Sequence, residues 1–364
     1  MFESVILIGP GTNLFPIVNS SLKATNLPIL NIELLLINIQ FLEPVSSKIY
    51  IVILKEDVDN IRHVVKNITT PLEIIGIDFY DGTVTQLHKL QQKINSENII
   101  VTKGNLVTNI DIKTIANEYL DNNDLFMTIL TNNQENTVCG IKGNELIHYS
   151  DFDDLNISKD ILIKNRFVMT LEKHPLQFYM FKKDILKYIT SDMFSFRSNF
   201  LPAIVKTLCN INPVKIFDPM NTYIYQIRDV ESYIFTIKKL KSIKHNENGD
   251  AICSYDKINL CKQYIKKKNI KDTKNILGTS LFIDSGFIID SVIGNNVTIN
   301  EGSYVVSSIL MNNIIIGKNC HIEECLIGNN VTIPDNTTLI KCNVSPAYIF
   351  STNVNAKNNI FTCS

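Results

Sequence analysis

The sequence lacks an excess of charge of either sign. Its 35 Lys and Arg stand against 36 Asp and Glu, a net charge of −1, which gives no field broad enough to hold nucleic acid or acidic lipid. Paired cysteines are also missing. The eight Cys form no C-x-x-C and no zinc-ligand spacing, and no secretory leader precedes them, so a reduced, cytosolic compartment is expected. Long apolar runs are scarce too. The N-terminal SVILIG (4–9) is too short to cross a bilayer and reads as a buried first strand, so no membrane contact is expected. What is present is a hydrophobic fraction of 45% over 364 residues, ordinary for a globular chain and enough for two domains. Ile, Asn and Lys are overused throughout, which reads as genome bias and gives Asn-rich stretches little functional weight.

The first two-thirds alternate strand-like and helix-like segments. SVILIG (4–9), KIYIVIL (48–54), LEIIGID (72–78) and NIIVT (98–102) read as strands, separated by helices near 33–42, 57–66 and 85–94. IDIKTIANEYL (110–120) follows as a helix and LFMTILT (125–131) as a strand. FVMTL, QFYMF and TYIYQI are expected to complete a mixed sheet. This alternation predicts a mostly parallel, Rossmann-like sheet with helices on both faces, over residues 1–242. Residues 243–272 break the composition and read as a linker; its KKK run reads as a solvated face.

The last ninety residues repeat. Ile276, Phe282, Ile288, Ile293, Ile299, Val305, Leu310, Ile316, Ile322, Ile327, Ile333, Leu339 and Val344 fall at spacings of 6, 6 and 5. One inward apolar residue per flat face and three faces per 17-residue coil describe a triangular parallel β-helix of four coils over 273–346, with 347–364 as a tail. Gly, Asn or Ser often follows the inward position, as tight corners require. Ser291, Ser308, Cys325 and Cys342, each 17 apart, should stack in a column, and the two Cys are expected as packed thiols rather than a disulfide.

The N-terminal loop GPGTNLFP (9–16) and the later LKATNLPILN (22–31) resemble the glycine-rich G-x-G-T-R-L-x-P loop and P-K-x-L-x-P segment of a family. Its members join a nucleotidyltransferase-like domain to a left-handed β-helix: the sugar-nucleotide pyrophosphorylases and two subunits of eukaryotic translation initiation factor 2B. Glycines let backbone N–H groups approach a triphosphate and a lysine offsets its charge. Gly9, Gly11, Thr12, Leu14, Pro16 and Lys23 match. Asn13 replaces the arginine, Leu22 replaces a proline, and an extra residue falls between Lys23 and Pro28. Active members carry a magnesium-binding aspartate where this chain has Asn105, just after NIIVTKG. In TYIYQIRDVESY (222–233), counting back from Tyr233 puts Gln226 at a second metal aspartate and Arg228 at a glycine.

Magnesium prefers anionic oxygen. Losing one preorganised electrostatic contact costs about 3–4 kcal/mol, roughly a thousandfold in rate, so the resemblance implies a degenerate, non-catalytic site. GNLVTNIDIKTIANEYLDNNDLFMTIL (104–130), FVMTLEKHPLQFYMFKKDILKYI (167–189) and SFRSNFLPAIVKTL (195–208) resemble the gamma-subunit family of initiation factor 2B, in order and over nearly the whole chain. The epsilon subunit shares both domains but continues into a helical exchange domain that is not expected here. The resemblance implies a non-catalytic subunit that pairs with the epsilon subunit, joins the other subunits of initiation factor 2B and meets initiation factor 2. It implies no metal and no cofactor beyond weak GTP or ATP binding at Gly9, Gly11, Thr12, Asn13, Lys23 and Asn105.

Two enzymatic alternatives stand beside it. One is an active sugar-1-phosphate nucleotidyltransferase of the mannose-1-phosphate guanylyltransferase type. The other is a hexapeptide-repeat acyltransferase using His321, which the repeat places on an outer face. His148 and His174 lack partner spacing and read as surface residues. Asp111 and Glu118 read as one solvated helix face.

Overall fold

The computed structural model describes residues 1–132, 136–154, 166–219, 222–244 and 275–363. The chain forms two compact units, Met1–Pro10 with Ile37–Ile224, and Gly11–Leu36 with Tyr225–Ser364. From residue 245 onward, the linker expected at 243–272 lies outside the described residues.

The first unit is built on a ten-stranded sheet. Its strands are β1 (Phe2–Leu7), β2 (Ser46–Leu54), β3 (Leu72–Ile77), β4 (Asn98–Thr102), β5 (Phe126–Thr131), β6 (Thr137–Lys142), β7 (Glu145–Asp151), β8 (Val168–Thr170), β9 (His174–Lys182) and β10 (Val214–Phe217). Their spatial order is β8-β6-β7-β10-β5-β9-β4-β1-β2-β3. The β4-β1-β2-β3 half is parallel, as the near-continuous Ile and Val runs predict for strands covered on both faces. β9 runs antiparallel between β4 and β5, which makes the sheet mixed. The segment 222–227 does not join this sheet. Its strand, Ile224–Gln226, lies in a two-stranded ladder, and β10 takes the expected place.

Helices Leu34–Leu42, Val58–Val65, Thr83–Leu90 and Ile112–Asp121 fall on or beside the predicted segments, and a fifth, Leu201–Leu208, lies within the stretch 195–208. Asp111 caps the fourth: its carboxylate accepts the Lys113 N–H at 3.1 Å, which satisfies one orphan helical donor. Glu118 is half-buried on the same helix. Ser195 caps the turn into the fifth through the Ser198 N–H at 3.2 Å. The core of the unit is aromatic. Phe126 stacks on Phe181 with centroids 5.4 Å apart, and Tyr179 on Phe196 at 4.9 Å. All four are buried, with Leu87, Leu201 and Val205 packed in the same cluster.

In the second unit the parallel β-helix is present, with strands in three sheets, an arrangement consistent with a left-handed β-helix. Ile293, Ile299, Val305, Leu310, Ile316, Ile322, Ile327, Ile333, Leu339 and Val344 are all 0–1% exposed, and each such burial is worth about 1.5–3 kcal/mol. The first coil corrects the repeat. Ile283, not Phe282, pairs with Ile299, so this coil is 16 residues long (299 − 283) and Phe282 turns outward, 51% exposed. The segment expected as a tail carries two further strands, Asn355–Lys357 and Ile360–Phe361, that extend two of the faces.

The small-residue column forms. The Ser308 N–H donates to Ser291 Oγ (3.1 Å), the Cys325 N–H to Ser308 Oγ (3.0 Å) and the Cys342 N–H to Cys325 Sγ (3.4 Å). Cys325 and Cys342 are free thiols. Burial pushes the Cys325 thiol up to about 12, which suits an inert packed group.

Candidate functional site

The glycine-rich loop folds within the second unit. Gly11 is left-handed, with φ 69° and ψ 26°, and caps a 3₁₀ turn, Thr12–Leu14. A Cβ at Gly11 would lie 2.8 Å from Ala24 Cβ, so both the backbone and the close approach of the next turn require glycine. Thr12 and Asn13 are exposed, and Lys23 is half-buried. A second 3₁₀ turn, Ala24–Asn26, fills the stretch where an extra residue was expected. Gly11, Thr12, Asn13 and Lys23 therefore belong to one loop system.

That system is tied to the β-helix. Ser345 Oγ donates to the Pro16 carbonyl at 2.7 Å, and Asn19 Nδ2 to the Pro346 carbonyl at 3.0 Å. Tyr233, fully buried on the helix Val230–Lys244, donates its hydroxyl to the Pro28 carbonyl at 2.8 Å. On the same helix, Lys241 Nζ reaches the Asp290 carboxylate at 2.6 Å.

Gly9 and Asn105 lie in the first unit, just past the ends of the neighbouring parallel strands β1 and β4. This is the sheet edge where open α/β folds place ligands. A Cβ on Gly9 would sit 3.7 Å from the Tyr80 ring, an ordinary contact. Burial pushes the Tyr80 hydroxyl up to about 12. Gly104 has φ 68°, and a Cβ there would come within 2.6 Å of Ile6 Cγ2. The half-buried Asn105 is thus presented by a turn that only glycine allows. Asn38, 1% exposed, closes the turn by accepting the Leu106 N–H at 3.1 Å.

A third element of this edge escaped the sequence reading. Gly82, at φ 115°, precedes the helix Thr83–Leu90. The chain's own segment 194–196 lies on it. The Phe194 carbonyl accepts the Val84 N–H at 3.0 Å, and the Phe196 N–H donates to Thr83 Oγ1 at 2.9 Å. A helix N-terminus that could face an anion thus has a first-turn donor occupied by the protein itself. The D-G-T run was the available signal.

Active members of the family that the loop resembles carry magnesium, and the residues present here do not fit it. Gln226 is 6% exposed. Its Oε1 accepts Nε (3.2 Å) and Nη2 (2.5 Å) of Arg228. A neutral amide oxygen already facing a guanidinium opposes a dication, which needs anionic oxygen to offset dehydration. At Asn105 the donor is again a neutral amide. Among the described residues no three His, Cys, Asp or Glu side chains form a metal-binding group.

Two histidines differ from expectation. His174 is 0% exposed with Nδ1 2.7 Å from Thr137 Oγ1, and His148 is 6% exposed with Nε2 3.0 Å from Ser150 Oγ. Both lie in runs of consecutive buried residues, on strands covered on both faces rather than alternating between core and solvent. Burial lowers the His148 pKa. His321 does face outward and pairs with Glu323 at 3.2 Å.

A family model described as "GlmU-like, C-terminal hexapeptide" matches residues 262–343. That match covers the coil region and supports a nucleotidyltransferase-related family with a β-helix. No curated protein matches the chain. Among the described residues no helix is long and apolar enough to cross a membrane.

Proposed function

We propose that this chain is a non-catalytic regulatory subunit of the guanine-nucleotide exchange factor for initiation factor 2, working in the cytosol. In this reading it pairs with the catalytic epsilon subunit and makes no covalent chemistry of its own. The observation that carries the non-catalytic half is the Arg228 guanidinium on Gln226 Oε1. A tethered cation stands where the resemblance places a metal ligand. The engaged Val84 N–H adds support, because it removes a donor that a phosphate would need. The translational half rests on the ordered segments at 104–130, 167–189 and 195–208 that resemble the gamma-subunit family.

The loop at Gly11–Lys23 keeps its glycine geometry under this reading because Gly11 packs against Ala24. Retention of the motif therefore needs no triphosphate, although weak GTP or ATP contact at Lys23 is compatible with it. The test is affinity capture of the tagged full chain from native lysate. The epsilon subunit and initiation factor 2 should co-purify in stoichiometric amounts. A homogeneous species containing this chain alone would count against the proposal.

A second reading, an active sugar-1-phosphate nucleotidyltransferase, draws on the GlmU-like match and the retained loop. It requires carboxylates at the metal positions, where this chain has amides. An acyltransferase reading would need His321 as a base in a cleft, and its imidazole is instead 46% exposed on an outer face.

A further inference from the structure

We propose that Asn19 is a positioning residue through which the last coils of the β-helix set the conformation of the loop that carries Lys23. All the groups involved belong to one compact unit.

Asn19 uses both ends of its amide. Its Nδ2 donates to the Pro346 carbonyl at 3.0 Å. Its Oδ1 accepts the N–H groups of Ser21 (2.8 Å) and Leu22 (3.1 Å). Its own N–H closes the turn on the Leu22 carbonyl at 3.0 Å. A single side chain thus reads the β-helix at one end and shapes the turn before Lys23 at the other. Leu22 is 4% exposed, so the turn cannot rotate without disturbing packing, and the direction of Lys23 follows from it.

The β-helix end of the connection is also defined. Ser345 donates its N–H to the Phe361 carbonyl at 2.8 Å and its hydroxyl to the Pro16 carbonyl at 2.7 Å. Ser345 is 1% exposed, so that second bond is shielded from water and costly to break. Phe361 is held by the rings of Tyr348 and Phe350, with centroids 5.5 and 5.2 Å away. A protein partner that grips or loosens the final strand would move Ser345 and Pro346, and their two bonds would carry that movement into the loop. Coupling of this kind requires contacts that differ between two states, and the bonds Asn19–Pro346 and Ser345–Pro16 are the ones whose loss would distinguish them.

Amide hydrogen exchange on the full-length protein tests this with a double-mutant cycle. The reporters are the N–H groups of Asn19, Ser21 and Leu22. Phe361→Ala should speed their exchange roughly three- to tenfold, the factor that loss of one net hydrogen bond allows. Asn19→Ala should do so as well, and in that background Phe361→Ala should add clearly less than it does alone, because only the Ser345–Pro16 bond remains to carry the change. Unchanged loop exchange in Phe361→Ala, or fully additive effects, would overturn the proposal. Amides of β1 and β4 serve as the internal control. Acceleration there as well would mean that these side chains only hold the fold together, and would overturn it equally.

Discussion

Asp124 is 2% exposed, and its Oδ2 has no hydrogen-bond partner among the described residues. Burial, opposed by the Lys215 charge, raises its pKa above the ordinary carboxylate value. A raised folded pKa means that the carboxyl favours folding when protonated, below its unfolded pKa, and that this benefit disappears as pH rises through the folded pKa. Asp124→Asn should therefore raise stability by about 1–2 kcal/mol near pH 7, with the gain shrinking toward about pH 4. Denaturant titration at the two pH values measures this. The signal was not legible in the sequence, because Asp in an N-N-D turn ordinarily faces water. Gly11 was legible as a position that needs glycine, but for approach of backbone to a phosphate; its left-handed backbone and its contact with Ala24 were not. Arg228 was legible only as a mismatch. That its guanidinium falls on Gln226 depends on a turn that no spacing rule encodes.

Within the β-helix, asparagine carries more weight than composition suggests. Asn296, Asn313 and Asn330 take left-handed backbone, with φ of 56°, 58° and 59°, and link Nδ2 to Oδ1 at 3.0 and 2.9 Å along the corner. Beside them Asn312 Oδ1 accepts the Asn295 N–H at 2.8 Å, and Asn329 Oδ1 accepts the Asn312 N–H at 2.9 Å. Genome bias supplies asparagine everywhere, but here the 17-residue period selects it for a corner that L-residues otherwise avoid. Asn312→Ala should leave the Asn295 N–H without its acceptor and destabilise the coils by about 1–3 kcal/mol, read as a lower unfolding midpoint. The same change at exposed Asn117 should fall within about 0.5 kcal/mol of wild type.

The coils were the most legible element, because a period of three apolar positions per 17 residues has no other compact solution. Only the short first coil shifted the register, and one missing residue between Ile283 and Ile299 is invisible to a spacing count that starts at Ile276. The large sheet was legible in its parallel half, where Ile and Val run nearly unbroken. It was less so in its antiparallel half. There β6 and β7 mix inward His148 and Tyr149 with polar residues, and the hairpin between them depends on Gly143 at φ 58°.

At the scale of the whole molecule, the chain has a mostly parallel α/β unit and a parallel β-helix, the plan of the nucleotidyltransferase-related family it resembles, and under the proposed function its residues have changed role. Gly11, in the loop that would cradle phosphate, packs against Ala24, and a helix terminus that could meet an anion bonds Phe194. Where the resemblance places a carboxylate, the Gln226 amide bonds Arg228. Each such feature costs little in folding and much in phosphoryl chemistry, which is the pattern that the proposed function, assembly in place of turnover, calls for. The most direct measurement is pyrophosphorolysis by the purified chain, with mannose and glucose nucleotides, pyrophosphate and Mg²⁺. We predict no nucleoside triphosphate above the protein-free control. Formation of triphosphate that Lys23→Ala abolishes would contradict the account.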